Sequence, residues 1–343
     1  MRASLKSTVA RAAAFTLGLG LCAVPCASAE EQPAEEGRLV EVAPGLFAIV
    51  EAGGNGNVAF LITDEGVLVV DSGESPAAGR RILSLVARKT DRPVRYLLLT
   101  HYHGDHTWGL ESFPEAAIVV GHENLLRNMR QITVQDIKGY PDHIETIRKK
   151  VEVLKAEGSP DVKKEEERLA ANLREYDMLK GLRLVLPEVT FERKIAIHLG
   201  GQVVEFLHPG PTHTSGSAVV LFPKQKAVHM GDILFVGSHP YIDGGAGSDT
   251  ANWVRFLKEV RGWDIETIVP GHGPLAGKEA LGEQALYLED LRREVGASIA
   301  KGLSLEEARK AVKMEAYKGR KWTDLLPHNV EAVFREMTRG KNP

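Results

Sequence analysis

The reading of the fold turns on VRYLLLTHYHGDH, residues 94–106. Its first half, VRYLLLT, is an apolar strand-like run that leads straight into His101. Its second half, His101-Tyr102-His103-Gly104-Asp105-His106, packs three imidazoles and a carboxylate into six residues. Neutral imidazole nitrogen and carboxylate oxygen are zinc ligands, and a compact loop can aim alternate side chains at two neighbouring ions. A lone histidine is usually ordinary surface. Three within six residues, with Gly104 and Gly109 permitting tight backbone, read as a metal site.

Upstream, LVEVAPGLFAIVEAG (39–53) and NVAFLITDEG (57–66) read as short strands separated by turns, and VLVVDSG (67–73) as a buried strand. Ala77 to Lys89 carries Ile82, Leu83 and Val86 at helical spacing. Strand, helix and buried strand predict a layered α/β domain.

Downstream, residues 123–182 are rich in Lys, Arg and Glu, with apolar residues at helical intervals. In DVKKEEERLAANLREYDMLKG (161–181), Leu169, Leu173, Tyr176 and Leu179 recur at steps of three and four, which predicts a helix packed along one face. This insertion reads as a solvated helical hairpin; a lid, or the contact of a homodimer, is the alternative. Strand signals return at 184–230, where SAVVLFPKQKAVHMGD (217–232) predicts two strands and a turn, with Gly231-Asp232 ending the second. After the strand IETIVPGHG (265–273), residues 278–337 are helical in pattern, with Ser304 and Glu307 forming a capping box.

One loop cannot complete two coordination shells. Three further candidates stand in Gly-rich loops after strand-like runs: His213 in HPGPTHTSGS, Asp232 in HMGDILF and His272 in VPGHGPL. With HxHxDH and in this order, they make the chain resemble the metallo-β-lactamase superfamily from about Leu39 to Leu275.

The resemblance implies an αββα sandwich with metals at the edge of its two sheets, here carrying the 123–182 helical insertion and a helical C-terminal extension over 278–343. It implies two zinc ions, or other divalent metals or iron. His101, His103 and His213 would hold the first, and Asp105, His106 and His272 the second. Asp232 would bridge them. Asp71 would orient a ligand histidine or the metal loop, although a plain turn residue is the rival reading. Two ions about 3.5–4 Å apart can share a hydroxide that attacks a carbonyl, with Asp105 orienting the nucleophile. Tyr102 and Trp108 would wall the groove, Trp108 standing where the family usually has glycine. His239, Tyr241 and Asp243, in SHPYIDGG, are candidates to face substrate. His208 and His229 fall on no ligand position and read as structural.

The expected partner is a small-molecule carbonyl substrate, and the expected reaction is cleavage of an amide, lactam, ester or lactone, with β-lactams among the candidates. The common β-lactamase subclasses carry Cys, or replace the bridging aspartate with Ser, where this chain has Asp232. The glyoxalase II type, a thiolester hydrolase, keeps all seven ligands and is the alternative. Its glutathione-gripping basic residues have no counterpart here beyond Arg320 and Lys321. Exported members related to quinoprotein and sulfur-oxidation systems share the ligand set and the stretch through PYID. A metal-dependent binding or scaffold protein is the non-enzyme alternative.

The amino terminus bears on compartment. Arg2, Lys6 and Arg11, an apolar stretch from Ala12 to Val24, and Ala27-Ser28-Ala29 predict a secretory signal peptide cleaved after Ala29, with residues 30–37 as a polar leader. The apolar stretch is short of the roughly 20 residues that span a bilayer. Both cysteines, Cys22 and Cys26, lie within this peptide, so the mature chain would offer neither disulfide nor thiolate. The expected location is periplasmic or secreted, without a stable membrane anchor. A net charge of −3 with no basic cluster excludes nucleic acid as the partner.

Overall fold

A computed structural model describes residues 37–50 and 55–339, the side chain of Asp136 excepted. The predicted signal peptide and all of its leader but residue 37 lie outside the described residues.

Two sheets carry the fold. The first holds seven strands in chain order: β1 (Arg38–Ala43), β2 (Leu46–Val50), β3 (Val58–Thr63), β4 (Gly66–Val70), β5 (Val94–Leu99), β6 (Ile118–His122) and β7 (Val189–Phe191). The second is built from β8 (Lys194–Leu199), β9 (Gln202–Leu207), β10 (Val219–Phe222), β11 (Ala227–Phe235) and β12 (Thr267–His272), ordered β12-β11-β10-β9-β8.

The alternation of side chains along a strand explains how the layers form. Ala59, Leu61, Leu68, Val70 and Leu98 point toward the second sheet, meeting Val204, Phe206, Val220 and Phe222 in one cluster. Their neighbours Val58, Phe60, Val67, Val69 and Leu97 point the other way, onto Ile82, Leu85 and Val86 of α1 (Pro76–Ala87). Strands buried on both faces must be apolar throughout, which is why β4 and β5 read as continuous runs. Val228 and Met230 of β11 face a third cluster on the outer side of the second sheet.

The remaining helices follow in order. A four-residue turn, α2 (Gly104–Thr107), sits in the metal loop. Next come α3 (Glu123–Asn128), a π-helical turn over Met129–Thr133, α4 (Val134–Ala156) and α5 (Val162–Leu179). Then α6 (Thr250–Val260), α7 (Lys278–Ala300), α8 (Leu305–Ala311) and α9 (Leu326–Thr338) complete the chain, and α6, α7 and α9 supply the third cluster. The layers are helix, sheet, sheet, helix, the αββα order. The Ser304–Glu307 capping box is present at α8.

Two local expectations need correction. Leu173 is 38% exposed and leaves the packed face of α5, where Leu179 and Glu165, its carboxylate paired with Lys150 and Arg168, are buried instead. Asp232 does not end its strand: β11 continues to Phe235 through slips of register against β12 on both sides of Gly231. Gly231 takes φ +49, and a Cβ there would meet Thr100 at 2.7 Å, so the slip that turns Asp232 toward the metal loop requires glycine.

Candidate metal centre

β4 and β5 run parallel and end together, releasing Asp71 from one and Thr100-His101 from the other. β11 and β12 are also parallel and bring Asp232 and His272 to the same edge. The loop after β9 adds His213. At the crowded contact between β11 and β12, a Cβ on Gly271 would lie 2.1 Å from the Asp232 Oδ1 atom, so that position also needs glycine.

The seven residues gather into two groups, His101, His103, His213 and Asp232 in one and Asp105, His106 and His272 in the other. In the first, His103 Nδ1 lies 3.2 Å from His213 Nε2, and Asp232 Oδ2 lies 3.6 Å from both His101 Nε2 and His213 Nε2. In the second, Asp105 Oδ2 is 3.3 Å from His106 Nε2 and from His272 Nε2. Asp232 also reaches this group, at 3.1 Å from His106 Nε2 and 3.3 Å from His272 Nε2. Its carboxylate therefore stands between the two foci.

His101 Nε2, His106 Nε2 and Asp232 Oδ1 are buried with no hydrogen-bond partner among the described residues. Unpaired buried polar atoms are costly unless a bound ion or water satisfies them. Five imidazoles and two carboxylates, with no thiolate, form a nitrogen and oxygen donor set that suits zinc and other divalent first-row metals.

Three of the candidate ligand rings are held from behind. The Thr100 N–H and the Thr100 hydroxyl donate to Asp71 at 2.8 Å each, and His106 Nδ1–H donates to the same carboxylate at 2.8 Å. His213 Nδ1–H donates to the Tyr241 carbonyl at 2.8 Å, and His103 Nε2–H to Asp243 at 3.0 Å. Such bonds fix the tautomer and turn the other ring nitrogen inward.

Protonation in the metal-free cluster follows burial and charge. Burial holds His101 well below the usual imidazole range and His213 down to about 4. Burial also opposes charge on His106 and His272, yet the carboxylates around them outweigh it. Asp105 and Asp232 lift His106 well above its ordinary value, and Asp232 and Asp105 carry His272 to about 10. The carboxyls of Asp105 and Asp232 are held well below the usual range against their own burial, the first mainly by His106 and the second by His272, His106 and His101.

A family model described as the metallo-beta-lactamase superfamily matches residues 52–272. The chain belongs to this superfamily. A linear primary-alkylsulfatase of Pseudomonas sp. (strain ATCC 19151) is 24% identical over 79% of this chain and 53% of its own length. The 2,4-dinitroanisole O-demethylase subunit alpha of Nocardioides sp. (strain JS1661) is 24% identical over 69% of this chain and 55% of its own. The chain thus spans about half the length of the curated relatives it matches. Among solved structures, a metallo-beta-lactamase from Pontibacter korlensis shares the fold at TM-score 0.54 and 17% identity, covering 74% of this chain and 99% of that one. The sec-alkylsulfatase Pisa1 from Pseudomonas sp. does so at TM-score 0.65 and 16% identity, covering 90% and 52%.

Other candidates fall in different places. Tyr102, Trp108 and Tyr241 line a cavity beside His103. His239 does not face it: the ring is 2% exposed and pairs through Nδ1 with the Tyr287 hydroxyl at 2.7 Å. Asp243 is engaged as the partner of His103 and of the Tyr102 hydroxyl, which donates at 2.6 Å, so it acts on the metal loop rather than on substrate. His229 and His208 are structural, the first facing the Asn57 carbonyl and the second donating to that of Ser217. Sequence reading missed Thr100, Asn329 and Trp322. Thr100 carried the one available signal, its place between the strand and His101. Trp322, left-handed at φ 58, sets its ring 5.2 Å from that of His272.

Proposed function

We propose that this chain is an exported hydrolase that holds two zinc ions on the seven residues and cleaves an amide, lactam, ester or lactone bond of a small molecule. The observation that carries this reading is the pair of foci sharing Asp232, with buried polar atoms that make no hydrogen bond among the described residues. Zinc ions bound there supply a water acidified to a pKa near neutrality and a Lewis acid for the substrate oxygen. The chain's own residues do the rest. Asp71 and Asp243 hold the rings of His106 and His103 in one orientation. Asp105 is the most open of the seven ligands at its side chain, 29% exposed against 18% or less for the others, and is placed to accept a proton from a water at the mouth of the site.

The names of the two curated relatives favour a second reading, in which the bond broken is that of a sulfate ester or an activated aryl methyl ether. Among the described residues no lysine or arginine lines the cavity beside His103, which favours the carbonyl reading, because a sulfate group calls for such partners. For a thiolester gripped through glutathione, Arg320 is poorly placed, since its guanidinium lies over the rings of Tyr287 and Tyr317.

The zinc-loaded chain should be assayed, before and after chelation, on a chromogenic cephalosporin, an aryl ester, a thiolester, an alkyl sulfate and 2,4-dinitroanisole. Turnover of the cephalosporin or the ester, abolished by chelation, is expected. Turnover of the sulfate or the ether alone would replace the carbonyl reading with the second one, and zinc binding without turnover of any would contradict the enzyme. Export is tested by fractionating cells and sequencing the amino terminus of the periplasmic protein, which should begin at Glu30.

A further inference from the structure

Beside His103 lies a cavity of about 570 Å³ whose inner wall is Tyr102, Trp108 and Tyr241 and whose outer wall is the helical insertion. From the insertion come Tyr140 and His143 of α4 and Glu175 of α5. The π-helical turn reaches it through Thr133. Such turns interrupt a helix at a cost and recur at functional positions. The Tyr140 ring stacks on Tyr176 with centroids 5.9 Å apart, and its hydroxyl donates to Asn172 at 3.2 Å, so α4 and α5 fix this wall together.

Four aromatic side chains and a carboxylate are an unusual lining for a site whose metals would attract anions. An adjoining groove on the other side of Gly104 and Trp108 does contain Arg174, but sets it among Glu74, Asp105 and Glu175. The negative side of aromatic rings and the carboxylates favour a positive or neutral group and repel a negative one.

We propose that this cavity receives the non-reacting end of the substrate and selects an aromatic group that is neutral or cationic, against one that is anionic. The proposal rests on the carbonyl-hydrolase reading for the reaction, and on the cavity alone for the selectivity. The insertion is then the specificity element of the enzyme, with Glu175 as its charge filter and Trp108 as its floor.

Two phenyl acetates test it, one with a para trimethylammonium group and one with a para sulfonate, each normalised to its own rate with hydroxide. The cationic ester should be preferred in kcat/KM by about tenfold, the size expected of a cation over aromatic faces beside an exposed carboxylate. Glu175→Gln should cut that ratio to about threefold. The corresponding phenols, bound to the zinc-loaded protein and followed by ligand-observed NMR, need no turnover and should show the same order. No ester hydrolysis with that order kept would sink the reaction while supporting the cavity's selectivity. Equal binding of the two phenols, a preference for the sulfonate, or a ratio unchanged in Glu175→Gln would overturn the proposal.

Discussion

The carboxylate of Asp71 is fully buried and accepts from three donors, two of them on Thr100 and one on His106. It sits at φ 64, a left-handed conformation that aspartate and asparagine tolerate better than most residues. Asp71→Ala leaves those donors unpaired, at about 1–3 kcal/mol for each that water cannot reach, and releases the ring of His106. It should weaken zinc binding by about 10–100-fold, the usual effect of removing a ligand's outer partner. Competition with a chromogenic chelator measures this, and unchanged affinity would return Asp71 to the role of a turn residue. A second residue-scale prediction concerns His122, whose Nδ1 accepts from Asn124 N–H at the start of α3 while its Nε2–H donates to Glu192, the pattern of a neutral ring. Burial, with the His208 ring stacked 3.6 Å away, lowers it to about 4. Unfolded histidine binds its proton near 6.5, so between the two values the unfolded chain takes up a proton that the folded one refuses. Stability should therefore fall as pH drops from about 6.5 to about 4 and level off below. His208 shifts the same way and adds to the effect. Urea midpoints at pH 7 and pH 5 should differ less in His122→Asn, which keeps an acceptor for the helix start but cannot titrate.

At the scale of elements, the C-terminal extension holds the loop after β11, which backs the candidate metal centre. Asn329, fully buried, donates to the Pro240 carbonyl at 2.7 Å and accepts from Ile242 N–H at 3.2 Å. His328 stacks on Tyr241 at 4.7 Å, and Lys321 exchanges backbone hydrogen bonds with Gly237 and His239. That loop delivers the Tyr241 carbonyl to His213 and the Asp243 carboxylate to His103. Asn329→Ala should thus weaken the first metal position more than the second: one zinc equivalent should dissociate at lower chelator concentration, with the other nearly unchanged. Equal loss of both would make the extension a general stabiliser instead. The helices themselves were legible from their apolar periodicity and the α8 capping box. What they hold was not, because the bonds of Asn329 span nearly ninety residues and asparagine in a helix carries no signature of its target. The exposed Leu173 shows the same limit at the solvent side: a regular apolar stripe says which face packs, not how far the partner extends along it.

For the molecule as a whole, the two sheets bring to one edge candidate ligands that span residues 101 to 272. Continuous apolar strands ending in glycine-rich loops announced this arrangement, since buried strands leave their chemistry at their ends. That the seven candidates gather at one place could be read because histidine and aspartate at such spacing have few other uses. The bonds of Thr100 to Asp71, those of Asp243 to Tyr102 and His103, and the burial of His239 against Tyr287 could not, because they depend on contacts between distant segments and on which side of a loop each residue faces. In the proposed site Asp232 joins two metal positions. Zinc bound per chain, measured by equilibrium dialysis on the wild type and Asp232→Ala, tests it most directly. Two equivalents are expected in the wild type and at most one, weakly held, in the variant; two equivalents retained at wild-type affinity in Asp232→Ala would show that the carboxylate joins nothing.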